Sequence, residues 1–226
     1  MARSARSQLP VVWCLARGEP GYPSRLRSGA NAPSWPLLSA FGNRELLDRV
    51  SLGLLCSVAC PGQVVIEAFD AIRELRDAGV TLIGGFHSPM ERECLSFLLR
   101  GGQPVVLCPA RHPTRHGLPA SWREGLDSGH MLIVSPFGPD VRRPTRMTAH
   151  ERNQFVAQLA TALWIPHATP EGQVAQVAKN ALAMDTTVFW GTTSVPAPNW
   201  VTGARAYNRD AIVEFLANQG SVNAPG

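Results

Sequence analysis

The sequence predicts an α/β domain built on a doubly wound, mainly parallel sheet with helices on both faces. Two observations carry that expectation. Several runs are short and continuously apolar, as strands buried on both faces of a parallel sheet are. Between them lie segments with apolar residues at helical spacing, and strands alternating with helices imply crossover connections. A length of 226 residues suits one such domain with a sizeable core.

Each element follows in order from residue 52. Residues 52–58 form a short apolar run, read as the first strand. Residues 64–77 place Val64, Val65, Ala68, Ala71, Ile72 and Leu75 at helical spacing, and Gly79 supplies a stop. Residues 80–86 read as the next strand, and 90–99 as a helix ending at Gly101 and Gly102. Residues 104–108 form a third strand. Ser121 is placed to cap a short helix through Asp127, because its hydroxyl can accept an amide hydrogen bond. Residues 131–134 are a fourth strand, and Thr148 precedes a helix running to about Leu159. A fifth strand at 162–165, a helix at 174–183, a sixth strand at 187–190 and a terminal helix at 211–217 complete the pattern.

Residues 1–36 are rich in Gly, Pro, Ser and Arg and show no period. They read as an irregular lead-in packed on the domain, leaving 37–226 as a single Rossmann-like unit. Arg3 and Arg6 precede an apolar run at 9–16, which has the outline of a signal peptide. Pro10 interrupts the run and no small-residue cleavage site follows, so it reads instead as a strand or packing segment.

Hydrophobic residues make up 45% of the chain and charged residues 17%, a globular rather than disordered balance. The formal charge of +4 favours anionic partners mildly and is far from that of a dedicated nucleic-acid coat. No apolar run is long enough to span a bilayer. The five cysteines, Cys14, Cys56, Cys60, Cys94 and Cys108, are odd in number and read as reduced thiols of a cytoplasmic protein. Cys56 and Cys60 lack a second metal-like pair, so no metal and no other cofactor is expected.

In doubly wound sheets ligands bind outside the carboxyl ends of the strands. That rule selects five loops. The first carries Ser57 and leads through Gly62 into a helix, where backbone amides and the helix dipole suit a phosphate. It reads equally as an ordinary strand-to-helix turn. The second holds Gly84, Gly85, Phe86, His87 and Ser88; glycines at a strand end permit close backbone approach, and His87 projects at the crevice or bonds a neighbouring carbonyl. The third and fourth hold Arg111, Arg115, Arg142, Arg143, Arg146 and Arg152. Guanidinium forks suit phosphate oxygens, although solvated surface loops carry such charges too. The fifth places Gly172 at the head of a helix, as a phosphate contact or a plain capping turn. No nucleophile elbow and no metal-type His/Glu motif is present, so no catalytic residue is assigned.

Together these stretches resemble the DNA-processing protein A (DprA/Smf) family, in the Rossmann-like superfamily it shares with the lysine-decarboxylase-like (LOG) phosphoribohydrolases. The resemblance covers roughly residues 22–190. Residues 75–86 look like the family's "aGvtvvSGla" strand, 105–109 like "iaVLg", 132–138 like "llSE.P.G", and Glu151, Arg152 and Asn153 like part of "RRNRiia". The family's "GSR" reads Cys56, Ser57 and Val58 here, so its arginine is replaced by valine. The residues after Trp200 are too few for a complete winged helix. The resemblance implies a cytoplasmic, non-catalytic homodimer that binds single-stranded DNA during DNA processing, recombination and uptake of transforming DNA, with a recombinase as partner. Arg152 and Asn153 persist from its signature. The alternative is a nucleotide-binding sensor or a LOG-like nucleoside-monophosphate phosphoribohydrolase. That enzyme group uses "PGGxGTxxE", and residues 170–177 lack its Glu. A scaffold with a vestigial crevice is the third reading.

Overall fold

The computed structural model describes residues 11–26 and 34–222. Arg3 and Arg6, which precede the apolar run weighed above against a signal peptide, lie outside them, as do residues 27–33 of the lead-in. Fifteen strands and helices follow in chain order: β1 (Trp13–Ala16), β2 (Leu37–Gly42), β3 (Leu52–Leu54), α1 (Gly62–Asp77), β4 (Leu82–Gly84), α2 (Pro89–Leu98), β5 (Val105–Leu107), α3 (Ala120–Asp127), β6 (Met131–Ser135), α4 (Arg146–Leu159), β7 (Ala162–Ile165), α5 (Gln173–Ala183), β8 (Thr187–Trp190), β9 (Arg205–Ala206) and α6 (Arg209–Val222). Short 3-10 turns sit at Ser24–Leu26 and Arg44–Leu47.

All nine strands join one sheet in the order β1-β2-β6-β5-β4-β3-β7-β8-β9. From β6 to β9 every pairing is parallel, while β1 and β2 add an antiparallel edge. The expected mainly parallel, doubly wound architecture is therefore present, with β1, β2 and β9 beyond the six strands read from the sequence. β1 lies within residues 1–36, at the end of the apolar run at 9–16 that reads as a strand or packing segment. Its residues are mostly part-exposed at the sheet edge.

Side chains alternate across the sheet as the strand period of two demands. Leu52, Leu54, Leu82 and Trp164 enter one core with Ala68 and Ile72 of α1, Leu95 of α2 and Ile212 of α6. Ile83, Val106, Leu132 and Leu163 enter the other with Phe155 and Val156 of α4 and Val177 of α5. Each face of the sheet is thus sealed by its own helices.

Helix ends show where the local reading held and where it shifted. α1 stops at Gly79, with φ of +73°, while Gly79 N–H donates to Arg76 O at 2.9 Å and Val80 N–H to Leu75 O at 3.0 Å. This is the Schellman pattern, in which the left-handed residue favours glycine. α3 begins after Pro119, so Ser121 lies within the helix and does not cap it. α4 is capped by Thr145, whose Oγ1 accepts from Thr148 N–H at 3.1 Å. Thr148 returns the bond from the third helical position rather than preceding the helix.

Strand β3 sits very close to a side chain of β7 and to the residue that ends α4. A Cβ on Gly53 would lie 2.6 Å from Leu163 Cδ2 and 3.0 Å from the Ala160 Cβ. Gly53→Ala is expected to destabilise the fold by about 1–3 kcal/mol through overpacking. A thermal unfolding curve with an unchanged Tm would contradict that spacing.

Candidate functional site

The strand order reverses between β3 and β7, because β4, β5 and β6 extend to one side of β3 and β7 and β8 to the other. At such a switch point the loops leaving the two strands diverge and open a crevice. Here the crevice is stitched by Ser57. Its N–H donates to His167 O at 3.0 Å, and its Oγ accepts from Thr169 N–H at 3.1 Å.

Glu91 ties the neighbouring loop to the same point. Its buried carboxylate accepts from the N–H groups of Cys56 at 2.9 Å, His87 at 2.9 Å and Ser88 at 3.2 Å. Ser88 Oγ in turn accepts from Glu91 N–H at 3.2 Å, completing a capping box at the head of α2. The chain reaches this geometry through Phe86, a buried bulky residue with φ of +45°. Glu171, in the loop after β7, has φ of +58°. Left-handed backbone at non-glycine residues costs on the order of 1–3 kcal/mol and concentrates at functional sites.

Arg152 crosses from α4 to these strand ends. Its side chain is only 5% exposed. Nη1 donates to Cys108 O at 3.3 Å and Nε to Asn153 Oδ1 at 2.8 Å. The guanidinium fits because Gly85 has no side chain: a Cβ there would lie 1.3 Å from Arg152 Nη1. Burial lowers the pKa of Arg152, opposed by the nearby Glu91 carboxylate and by Cys108. Arg152 forms none of the ion pairs found among the described residues.

Two cavities meet at Arg152 and His87. One, of about 280 Å³, is lined by Ser57, Ser88, Glu91, Arg146, Asn153 and Thr169 among others. The other, of about 180 Å³, is lined by Gly85, Arg111 and a largely apolar set of residues. The residues expected from the sequence therefore divide. Ser57, Gly85, His87, Ser88, Arg111, Arg152 and Asn153 converge on the two cavities. Gly62, Arg142, Arg143 and Gly172 line neither. Arg142 and Arg143 are exposed, and a Cβ on Gly62 would meet open space. Glu91, Thr169 and Gln173, which lie in the second and fifth of the selected loops but are not among the expected contacts, also line the site. The spacing of Ser88 and Glu91 was a readable capping-box signal; the other two depend on the strand order.

The cysteines beside the cleft are unequal. Cys56 Sγ donates to Cys60 Sγ at 3.8 Å. Donating that bond, together with burial, pushes the Cys56 thiol up, whereas accepting it pulls Cys60 down against a smaller opposing effect of burial. Burial raises Cys94, and pushes Cys108 up to about 12. Since the thiolate is the reactive form, iodoacetamide at neutral pH should alkylate Cys60 well before Cys56, Cys94 or Cys108. Peptide mass spectrometry over time checks this; equal labelling of Cys56 would contradict the hydrogen-bonded pair. No group of three or more His, Cys, Asp or Glu among the described residues is placed to hold a metal ion. No helix among them is long and apolar enough to cross a membrane.

The DNA processing protein A of Streptococcus pneumoniae superposes with a TM-score of 0.70 at 18% identity, covering 89% of this chain and 73% of that one. The DNA processing protein A of Helicobacter pylori, which binds single-stranded DNA, superposes with a TM-score of 0.69 at 15% identity, covering 92% of this chain and 97% of that one. These likenesses establish the shared fold. Among curated proteins none matches. The sequence model of the family described as DNA recombination-mediator protein A matches residues 13–218, so the expected resemblance extends through β1 and most of α6. A match over that much of the sequence settles the family: the chain belongs to the DNA recombination-mediator protein A family.

Proposed function

We propose that this protein binds single-stranded DNA by seating a backbone phosphate against Arg152 in the crevice between the β3, β4 and β7 loops. One observation carries the reading. A buried guanidinium borders two cavities, makes hydrogen bonds to one carbonyl and one amide oxygen, and has no carboxylate in ion-pair contact among the described residues. The Glu91 carboxylate acts on Arg152 only from beyond ion-pair distance, so a phosphate supplies the direct charge contact and the acceptors for a guanidinium fork. Arg146 and Arg111 add positive charge at the rims. The DNA-binding named for the Helicobacter relative and the mediator role named for the family support the same ligand.

The action is non-catalytic. Among the described residues lining the two cavities Glu91 is the only carboxylate, and three backbone amides already hold it. We extend the reading to a cytoplasmic homodimer that delivers single strands to a recombinase during DNA processing and uptake of transforming DNA. The primary test is titration of a labelled oligothymidylate at several salt concentrations. Binding with a steep inverse dependence on salt is expected from counterion release. Absence of binding at low salt overturns the reading, and release of free base from nucleoside monophosphates would replace it with the phosphoribohydrolase alternative.

A further inference from the structure

Cys56 and Cys60 flank the turn between β3 and α1, and the phosphate contact uses neither thiol. Their sulfurs lie 3.8 Å apart, with Cys56 Sγ donating to Cys60 Sγ. Both are free thiols; Cys56 is buried and Cys60 only partly so. A disulfide holds its sulfurs about 2.05 Å apart, so the pair must close by about 1.8 Å. No third His, Cys, Asp or Glu among the described residues joins them in a group placed to hold a metal ion.

The local structure decides which end can move. Cys56 is pinned: its N–H donates to the Glu91 carboxylate at 2.9 Å, and the following N–H, of Ser57, donates to His167 O at 3.0 Å. Val58 and Ala59, between the cysteines, are exposed and belong to no helix or strand. Cys60 then leads into Pro61, which opens α1. Flexing of this exposed span brings Cys60 towards Cys56 and leaves the pairing of β3 and the body of α1 in place.

We propose that Cys56 and Cys60 are a redox modification site that a peroxide converts to a reversible disulfide, with Cys60 as the attacking thiol and Cys56 as the resolving one. The site stands whether or not the crevice binds DNA. In the first step the Cys60 thiolate attacks one peroxide oxygen. The O–O bond breaks, a sulfenic acid forms on Cys60, and hydroxide leaves and takes up the proton that Cys60 gave to solvent. In the second step the Cys56 sulfur displaces the sulfenic hydroxyl. The S–O bond breaks, the S–S bond forms, and the Cys56 proton departs with the oxygen as water. The thiols are oxidised to one disulfide and the peroxide is reduced to water.

The division of roles follows from exposure and charge. Cys60 is the more accessible of the pair, and the bond it accepts favours its thiolate, while burial and donation hold Cys56 protonated. Cys94 and Cys108 are fully buried, and burial pushes both thiols up, so they lack access as well as thiolate character. An accessible cysteine of lowered pKa beside a resolving thiol is the arrangement that redox-sensing cysteines use.

The tryptic peptide at 50–73 carries both cysteines and no other, so mass spectrometry reads the site directly. Reduced wild-type protein is treated with stoichiometric hydrogen peroxide, then with dimedone, which traps sulfenic acids, and digested. The peptide should become lighter by two hydrogens, carry no dimedone, and recover its mass after treatment with dithiothreitol. Cys56→Ser, given the same treatment, should accumulate the dimedone adduct on Cys60, whereas Cys60→Ser should leave Cys56 unmodified. Dimedone or sulfinic acid on Cys60 of the wild type in place of the internal bridge would overturn the proposal. So would a bridge from Cys60 to Cys94 or to a second copy of the chain. The wild-type result decides alone if either variant fails to fold.

Discussion

Arg152→Ala should lower the affinity for a single-stranded oligonucleotide by about 10- to 100-fold, because a hydrogen bond to a charged group contributes about 1.5–3 kcal/mol and each 1.4 kcal/mol is a factor of ten. The loss should also change the salt dependence. Each phosphate contact to a single strand contributes about 0.7 to the slope of log K against log salt, so the slope should fall by about that amount. Arg152→Lys keeps the charge but loses the planar fork, and should fall between wild type and alanine. Arg143→Ala is the contrasting variant. Arg143 is exposed and lines neither cavity, so its loss should act only through screened, long-range attraction and fade as salt rises. Equal effects of the Arg143 and Arg152 variants would move the binding site onto the outer loop. Thermal stability responds to two opposing changes in Arg152→Ala. The variant removes a desolvated charge, yet it leaves Cys108 O without this donor and opens space over Gly85. The binding defect should therefore be large compared with the shift in Tm.

The arginine shows how far the sequence reaches. Its place in a family signature and in a basic stretch marked it as a ligand contact, but nothing in the local pattern marks it as buried. Burial follows from α4 packing across the ends of β4 and β5, a relation between residues far apart in the chain. Glycine at the end of β4 was legible as a place of close approach; that the approaching group is a guanidinium was not. Arg142 and Arg143 stand out in sequence through charge alone, and charge alone does not distinguish a loop that faces the crevice from one that faces solvent. The fold was legible where elements are long or fully buried. β7 and β8 begin and end where the apolar runs do. β9 has two exposed residues and offers no run or period to read, while β1 sits in an apolar run that reads equally as a packing segment because only one of its residues is buried. The capping of α4 was displaced by three residues because both Thr145 and Thr148 can accept an amide bond, and only the helix register decides which comes first. Val58, which stands where the family keeps an arginine, is 72% exposed at the mouth of the larger cleft. The positive charge at this crevice therefore comes from Arg146 and Arg152 of α4 rather than from the β3 loop.

Gly85→Ala should reproduce the binding defect of Arg152→Ala without touching a charge. A methyl group at this position would overlap Arg152 Nη1 at 1.3 Å and Cζ at 1.9 Å, so either the guanidinium leaves its seat or the β4 loop shifts. Gly85 is not among the residues with positive φ, so space, not backbone conformation, excludes the larger residue. Overpacking of this kind costs about 1–3 kcal/mol. In a domain of this size each kcal/mol lowers Tm by about 2–4 °C. The decisive measurement is a double-mutant cycle. Once Arg152 is alanine, the added methyl has room, so Gly85→Ala in that background should be nearly neutral for stability and for oligonucleotide binding. Residues in direct contact are expected to be non-additive in this way, with an interaction energy comparable to the single-variant cost. Strict additivity would mean that Gly85 acts through some neighbour other than Arg152, and the guanidinium would then not be the group the strand end was shaped to hold.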